Sequence, residues 1–175
     1  MALTLLLGGA RSGKSALALR RARRFAGPVV FIATAEPRDA EMVARIAHHQ
    51  AERPEEWTTI NAPLDLAEAL TGAPERACVI VDCLSLWVSN LLERDEEGTI
   101  APLAVEAARC AAGRPAPTIA VSNEVGMGIV PANELARRYR DVLGRVNAIW
   151  ADHATESALV IAGRQLSLGT EEDGA

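Results

Sequence analysis

Gly8-Gly9-Ala10-Arg11-Ser12-Gly13-Lys14-Ser15 fits G-x-x-x-x-G-K-[ST], a loop whose backbone N–H groups cradle phosphates. Lys14 is the only lysine among eighteen basic residues. A chain that uses arginine everywhere else keeps lysine where a compact ammonium must reach β- and γ-phosphates. The broad planar fork of a guanidinium does not suit that position. The apolar run Leu3 to Leu7 ahead of the loop predicts a short buried strand, and Ser15 onward predicts a helix. Strand, glycine loop and helix N-terminus together aim N–H groups and a positive dipole end at an anion. All eight residues of the loop are therefore candidate nucleotide contacts, with Lys14 also catalytic.

Outward from the loop, strands and helices alternate. Gly27-Pro28 stops the first helix and starts the strand Val29 to Ala33. Pro37 and Asp39 open a helix over 40–52, ended by Arg53-Pro54. Its Met42, Val43 and Ile46 are expected to face the core. Short apolar runs predict strands at 57–60, 77–81, 118–121 and 157–162. Helices are predicted over 65–70, 84–92, 101–112 and 133–153, with an exposed charged loop at 93–98. This order implies an α/β fold with a mostly parallel central sheet, whose ligands bind at the C-terminal edge of the strands. One nucleotide-binding domain over 1–169 is expected, followed by a frayed acidic tail at 170–175.

Composition narrows the function classes. The 175 residues carry a net charge of −5, which speaks against a general nucleic-acid binder. Arg20, Arg21, Arg23 and Arg24 cluster on the helix after the loop and read as a solvated helix face. Only six residues are aromatic, so the core must be aliphatic and alanine-rich. Cys78, Cys83 and Cys110 make no C-x-x-C pair and read as small hydrophobes in a reducing compartment. No run reaches transmembrane length, and a soluble cytoplasmic protein is expected.

Three further groups carry chemistry. Asp82 ends the apolar run Cys78 to Val81, where a carboxylate orients hydrated Mg²⁺ with the Ser15 hydroxyl as a second anchor. His48 and His49 are adjacent on a predicted helix, and Arg45, His49 and Arg53 share a face at four-residue spacing. Flanking guanidiniums favour a neutral, nucleophilic imidazole and can hold a triphosphate. A plain solvated helix face explains the same spacing. Adjacent histidines point about 100° apart, which disfavours a shared zinc ion. His153, at a helix end, meets the negative end of a dipole and reads as structural. The third group is the glycine-bearing loop Ser122 to Pro131, with Glu124 at the strand edge as a base or a group near the magnesium. Asn123 is followed by glutamate, so the guanine-reading N-K-x-D motif is absent.

The segments 8–15, Arg45-Ile46-Ala47-His48-His49 followed by Arg53-Pro54, and Ser122 to Pro131 resemble the bifunctional adenosylcobinamide kinase/adenosylcobinamide-phosphate guanylyltransferase family of cobalamin biosynthesis. The resemblance runs from Leu3 to about Gly163. It implies a RecA-like phosphate-loop fold and two reactions. A nucleoside triphosphate, ATP or GTP, phosphorylates adenosylcobinamide. GTP then gives GMP to a histidine, His49 here, and adenosylcobinamide phosphate takes it to form adenosylcobinamide-GDP. The resemblance also implies nucleotide contacts at Thr34, Ala35 and Glu36, at Gln50, Ala51, Glu52 and Arg53, and at Asp82. Asn61 falls where the family often has glutamate, which alters either nucleotide affinity or the base contact. Mg²⁺ as cofactor and assembly as a homotrimer are implied as well. Two rivals share the loop: a monofunctional small-molecule kinase, which has no use for the histidine–arginine stripe, and a nucleotide-dependent switch or assembly ATPase.

Overall fold

A computed structural model describes residues 2–94 and 97–169; the tail expected at 170–175 lies outside them. Seven strands form one sheet in the order β3-β2-β4-β5-β1-β6-β7. They are β1 (Leu3–Leu7), β2 (Val29–Ala33), β3 (Thr58–Asn61), β4 (Cys78–Asp82), β5 (Thr118–Val121), β6 (Glu156–Ile161) and β7 (Arg164–Leu168). The first six run parallel, and only β7 is antiparallel, against β6. All five residues of β1 are buried. β1 lies between β5 and β6 with helices over both faces of the sheet, which favours apolar side chains on both sides, and its one polar member, Thr4, donates to Glu156 at 3.4 Å.

Successive side chains along a strand feed opposite layers. Leu3, Leu5, Ile32, Val79 and Val81 join a core with α3 (Leu66–Gly72), α4 (Leu84–Glu93), α5 (Glu97–Gly113) and α6 (Glu134–His153). Trp87 of α4 and Trp150 of α6 fill it and are essentially inaccessible. Leu6, Phe31, Ile80, Val121 and Val160 join a smaller core on the other face, covered by Ala18, Leu19 and Ala22 of α1 (Lys14–Ala22). Four helices therefore cover one face. On the other, α1 packs on β4, β5 and β1, and β2 and β3 are left to α2 (Ala40–Ala51).

Three expectations change. First, Met42, Val43 and Ile46 do not enter the core: α2 has no buried residue, and Val43 is half exposed. Their spacing is that of an amphipathic helix, but the apolar side faces a cleft. Second, α5 begins at Glu97, not near Ala101, with Pro102 inside it. Pro102 lacks the N–H that would bond the Gly98 carbonyl. Both residues are exposed, so water can satisfy that carbonyl at little cost. Third, the chain does not end its sheet at β6. Ala162 (φ 50°) and Gly163 (φ 73°) form a two-residue turn with both φ positive, and β7 returns along β6.

The cysteines are small, free and buried or half-buried as expected, and the arginine cluster is a solvated surface only in part. Cys78 and Cys83 are buried free thiols, and Cys110 is half-buried and free. Burial pushes the Cys78 and Cys83 thiols up to about 11. Arg20 is accessible on α1, and Arg23 and Arg24 just beyond its end, while Arg21 pairs bidentately with Glu156 on β6. The His153 ring lies on the Ile149 carbonyl at 2.8 Å, closing the last turn of α6.

Candidate active site

The phosphate loop is held from both sides. The Glu124 N–H donates to the Gly8 carbonyl at 3.0 Å, and the Gly163 N–H donates to the Ser12 carbonyl at 2.8 Å. Two glycines are required there. Gly8 has φ 150°, and a Cβ on it would lie 2.3 Å from the Val160 carbonyl oxygen. Gly13 has φ 96°, and its Cβ would press at 3.2 Å on the Gly163 Cα. The β6–β7 turn therefore seats the phosphate loop, a contact that the sequence does not announce. Lys14 is buried, and its ammonium donates to the Gly9 carbonyl at 2.7 Å, inside the curve of the loop. Burial pulls its pKa down, while Cys83 and Asp82 beside it pull the other way.

A cleft open to solvent lies between α2 and the C-terminal edge of β4, β2 and β3. Ser15 and Asp82 line it nearest the loop, and Asn61 ends the outer strand β3. The helix above contributes Met42, Arg45, Ile46, His49 and Gln50, and Arg53 follows it. Positions 42, 45, 46, 49, 50 and 53 form a single helical face. The sequence suggests two separate faces, a cationic one and an apolar one; the structure turns both toward the cleft.

The histidines divide as an adjacent pair on a helix must. The His49 side chain is 30% exposed and faces the cleft, whereas His48 is 74% exposed and faces water. Their rings are 6.0 Å apart, edge to face. The charged neighbour of His49 is the Glu52 carboxylate, 3.5 Å from Nδ1. Arg53 does not flank the imidazole as the spacing suggests. Its guanidinium stacks on Phe31, 3.4 Å from the ring centroid, and donates to the Thr59 hydroxyl at 3.2 Å. Its Nε is buried without a hydrogen-bond partner, and burial lowers its pKa. An unpaired buried N–H on a cation is costly unless an anion or carbonyl arrives to accept it.

The other expected contacts are distributed less simply. Ala35 lines the cleft. Thr34 is fully buried, and its hydroxyl is bonded twice to the Cys83 backbone, so it holds the strand edge. Glu36 is paired with Arg38 at 2.6 Å and with Arg94 at 3.7 Å, outside the cleft lining. Ala51 is exposed and Glu52 caps α2. Phe31, Cys83 and Leu86 line the cleft without having been anticipated. Phe31 sits within a strand run that reads as core, and no local signal separates it from its neighbours.

Beyond β5, Ser122 is fully buried and donates to Asn147 on α6 at 2.6 Å, and Asn147 donates to the Asn123 carbonyl at 3.0 Å. The Glu124 carboxylate accepts from the Gly126 N–H and lies beside the loop, not in the cleft. Among the described residues, no three His, Cys, Asp or Glu side chains gather in a metal-binding cluster. One hydroxyl and one carboxylate, Ser15 and Asp82, fit a hydrated Mg²⁺ that takes its other ligands from phosphates and water. No helix among the described residues is long and apolar enough to cross a membrane.

Comparison with known proteins bears on the fold and the family. Two solved structures share the fold at low identity. One is an ATPase from the type III secretion system of pathogenic bacteria (TM-score 0.59, 10% identity, covering 98% of this chain and 59% of that one). The other is a separately solved ATPase domain (TM-score 0.50, 13% identity, covering 90% of this chain and 68% of that one). The fold is that of RecA-like phosphate-loop ATPases. The bifunctional adenosylcobalamin biosynthesis protein CobP of Pseudomonas aeruginosa is 42% identical over 168 residues, 95% of this chain and 97% of that protein. The bifunctional adenosylcobalamin biosynthesis protein CobU of Salmonella typhimurium is 40% identical over 181 residues, covering 91% and 95%. The family described as cobinamide kinase / cobinamide phosphate guanyltransferase matches residues 4–168, and the chain belongs to that family.

Proposed function

We propose that this chain phosphorylates adenosylcobinamide with a nucleoside triphosphate, then transfers GMP from GTP through His49 to adenosylcobinamide phosphate, giving adenosylcobinamide-GDP. The observation that carries this is the cleft. His49 on α2 and the pair Ser15 and Asp82 beside the phosphate loop line one space. A kinase needs only the second group; a nucleotidyl transfer through a covalent intermediate needs both.

In the first reaction the acceptor hydroxyl oxygen bonds the γ-phosphorus, the bond to the β-phosphate oxygen breaks, and the hydroxyl proton is released. In the second, an imidazole nitrogen bonds the α-phosphorus and pyrophosphate leaves. With Nδ1 turned to Glu52, Nε2 is the attacking nitrogen. A phosphate oxygen of the corrinoid then displaces the histidine. The loop N–H groups and Lys14 hold the β- and γ-phosphates in both reactions. Ser15 and Asp82 would hold Mg²⁺, which when bound would supply charge neutralisation to the phosphate oxygens. Arg53, with its unpartnered Nε, Gln50 and Asn61 contact the nucleotide on the far side. Thr34 and Glu36 act through the backbone of the strand edge, since their side chains are engaged within the protein.

Residues 1–169 are taken as one nucleotide-binding domain working in the cytoplasm, where buried free thiols stay reduced. Assembly as a homotrimer rests on the family resemblance. The accessible apolar side chains of the sheet edge, Ile161, Leu166 and Leu168, support burial against another copy.

The test is incubation with Mg²⁺ and α-labelled GTP without corrinoid, in wild type and His49→Ala. Acid-labile, base-stable label on wild type that is lost in the variant is expected. No label on wild type, with phosphorylation of adenosylcobinamide intact, would reduce the protein to a kinase.

A further inference from the structure

The loop between β5 and α6 exposes apolar side chains that neither the nucleotide cleft nor the core uses. Ile129 is 97% exposed, Met127 76%, and Val125, Val130 and Leu135 are also accessible. From residue 125 to residue 133 the chain carries no charged side chain. This is not a loose segment. Its start is fixed by the Glu124 N–H on Gly8 and by Asn147 on the Asn123 carbonyl. Its end is fixed by Arg137, which donates to the carbonyls of Pro131 (3.0 Å) and Ala132 (2.6 Å), and by the Asn133 cap on Ala136. A loop clamped at both ends that, with Leu135 on the first turn of α6, holds five apolar side chains in water marks a surface that something covers.

Its place in the sheet identifies what. In the order β4-β5-β1, β5 lies between the strand that delivers Asp82 and the strand that delivers the phosphate loop. The segment leaving β5 therefore passes directly beside the phosphate loop, bonded to Gly8 itself. The nucleotide cleft opens to the other side, over β2 and β3. The acceptor hydroxyl has to approach the γ-phosphorus in line, from a side that the nucleotide itself does not fill. We propose that the 125–135 surface docks the corrin ring of the acceptor, its apolar side chains against a ring face and the hydroxyl-bearing arm reaching past Glu124 to the phosphate loop. The uncharged stretch suits a macrocycle whose rim carries neutral amides. This inference rests on the function proposed above and adds the acceptor site to it.

The experiment is equilibrium dialysis of the full chain against cobinamide, followed by its visible absorbance, without nucleotide. Wild type, Ile129→Asp, Met127→Asp and, as a control on an exposed apolar side chain outside the cleft lining and the sheet edge, Val43→Asp are compared, each with its particle mass by ultracentrifugation. Ile129 and Met127 are almost wholly in water, so their replacement leaves folding intact. Loss of at least about tenfold in affinity is expected for each, since a carboxylate desolvated against an apolar ring is strongly unfavourable. The Val43→Asp variant should bind cobinamide like wild type. Labelling of His49 by GTP should persist in both loop variants. Unchanged affinity in the loop variants, with wild type binding cobinamide, overturns the docking surface and leaves the proposed function standing. Weaker binding accompanied by a change in particle mass also overturns it, and makes the loop a contact between copies. No binding by wild type overturns both.

Discussion

The Thr34 hydroxyl donates to the Cys83 carbonyl at 2.7 Å and accepts from the Cys83 N–H at 2.8 Å. One side chain thus locks the end of β2 to the residue that follows Asp82. Asn90 on α4 completes the lock by donating to the Thr34 carbonyl at 2.8 Å. Thr34→Val keeps the shape and removes the hydroxyl, leaving the buried Cys83 N–H unpaired, while the Cys83 carbonyl keeps the Trp87 N–H at 3.2 Å. A loss of ~1–3 kcal/mol in unfolding free energy is expected. Because Asp82 loses its fixed backbone, the Mg²⁺ concentration needed for half-maximal activity should rise as well. Urea unfolding and a Mg²⁺ titration check the two parts. An unchanged magnesium requirement in a destabilised variant would confine Thr34 to a structural role.

Gly8 tests how tightly the phosphate loop is seated. A methyl group there meets the Val160 carbonyl at 2.3 Å, and backbone cannot yield as a flexible side chain does. Gly8→Ala should displace the loop from β6, abolish nucleotide binding and cost more than ~2 kcal/mol of stability. Gly9 has open space around its Cβ position, so Gly9→Ala is the matched control and should fold normally. Calorimetric titration with GTP together with thermal unfolding distinguishes the two variants.

Much of this architecture is legible because the local signals agree with one another. The run Leu3 to Leu7, the eight-residue loop and Asp82 at the end of Cys78 to Val81 each carry a pattern that admits few structures, and they meet at one sheet edge as the alternation implies. The parts that escape depend on packing that no single segment records. An amphipathic pattern on α2 tells that one side is shielded, not whether a core or a cleft shields it. Ala162-Gly163 is a weak turn signal, because alanine rarely adopts positive φ, and so β7 and its contact with the phosphate loop go unread. Arg53 stands at the spacing of a cationic stripe, yet Phe31 draws its guanidinium away from His49.

Glu156 and Arg21 tie α1 to β6 through two short bonds, 2.7 and 2.6 Å. The guanidinium holds the Glu156 carboxyl below the usual carboxylate range. A carboxyl whose folded pKa is depressed contributes stability above its unfolded pKa and loses it as pH falls through the folded value. Wild type should therefore lose stability relative to Glu156→Gln between about pH 5 and about pH 3, while at pH 7 wild type is the more stable. The Glu156 side chain is 38% exposed, so solvent screening limits the gain to less than ~1 kcal/mol. Urea midpoints of both proteins across that range decide it; parallel curves would remove the pair from the acid response.

Two reactions at one phosphate loop require His49 near the α-phosphorus for one and out of the way of the acceptor for the other. The helix that bears it is built to shift, since no residue of α2 is buried. Its N-terminus is capped by Asp39 on the Met42 N–H at 2.7 Å, and its C-terminus is held by Arg23, which donates to the Glu52 carbonyl at 2.7 Å. Arg23→Ala removes the second tether without touching the cleft. The freed bond is exposed and worth ~1 kcal/mol, enough for about a fivefold change in a conformational equilibrium. Amide exchange from His48 to Arg53 should speed up by about that factor, and labelling of His49 by GTP should slow to match. Phosphorylation of adenosylcobinamide, which needs the loop and not the histidine, should stay within about twofold of wild type. Equal losses in both reactions would show that α2 moves as part of the loop, and that its release has no separate bearing on the transfer of GMP.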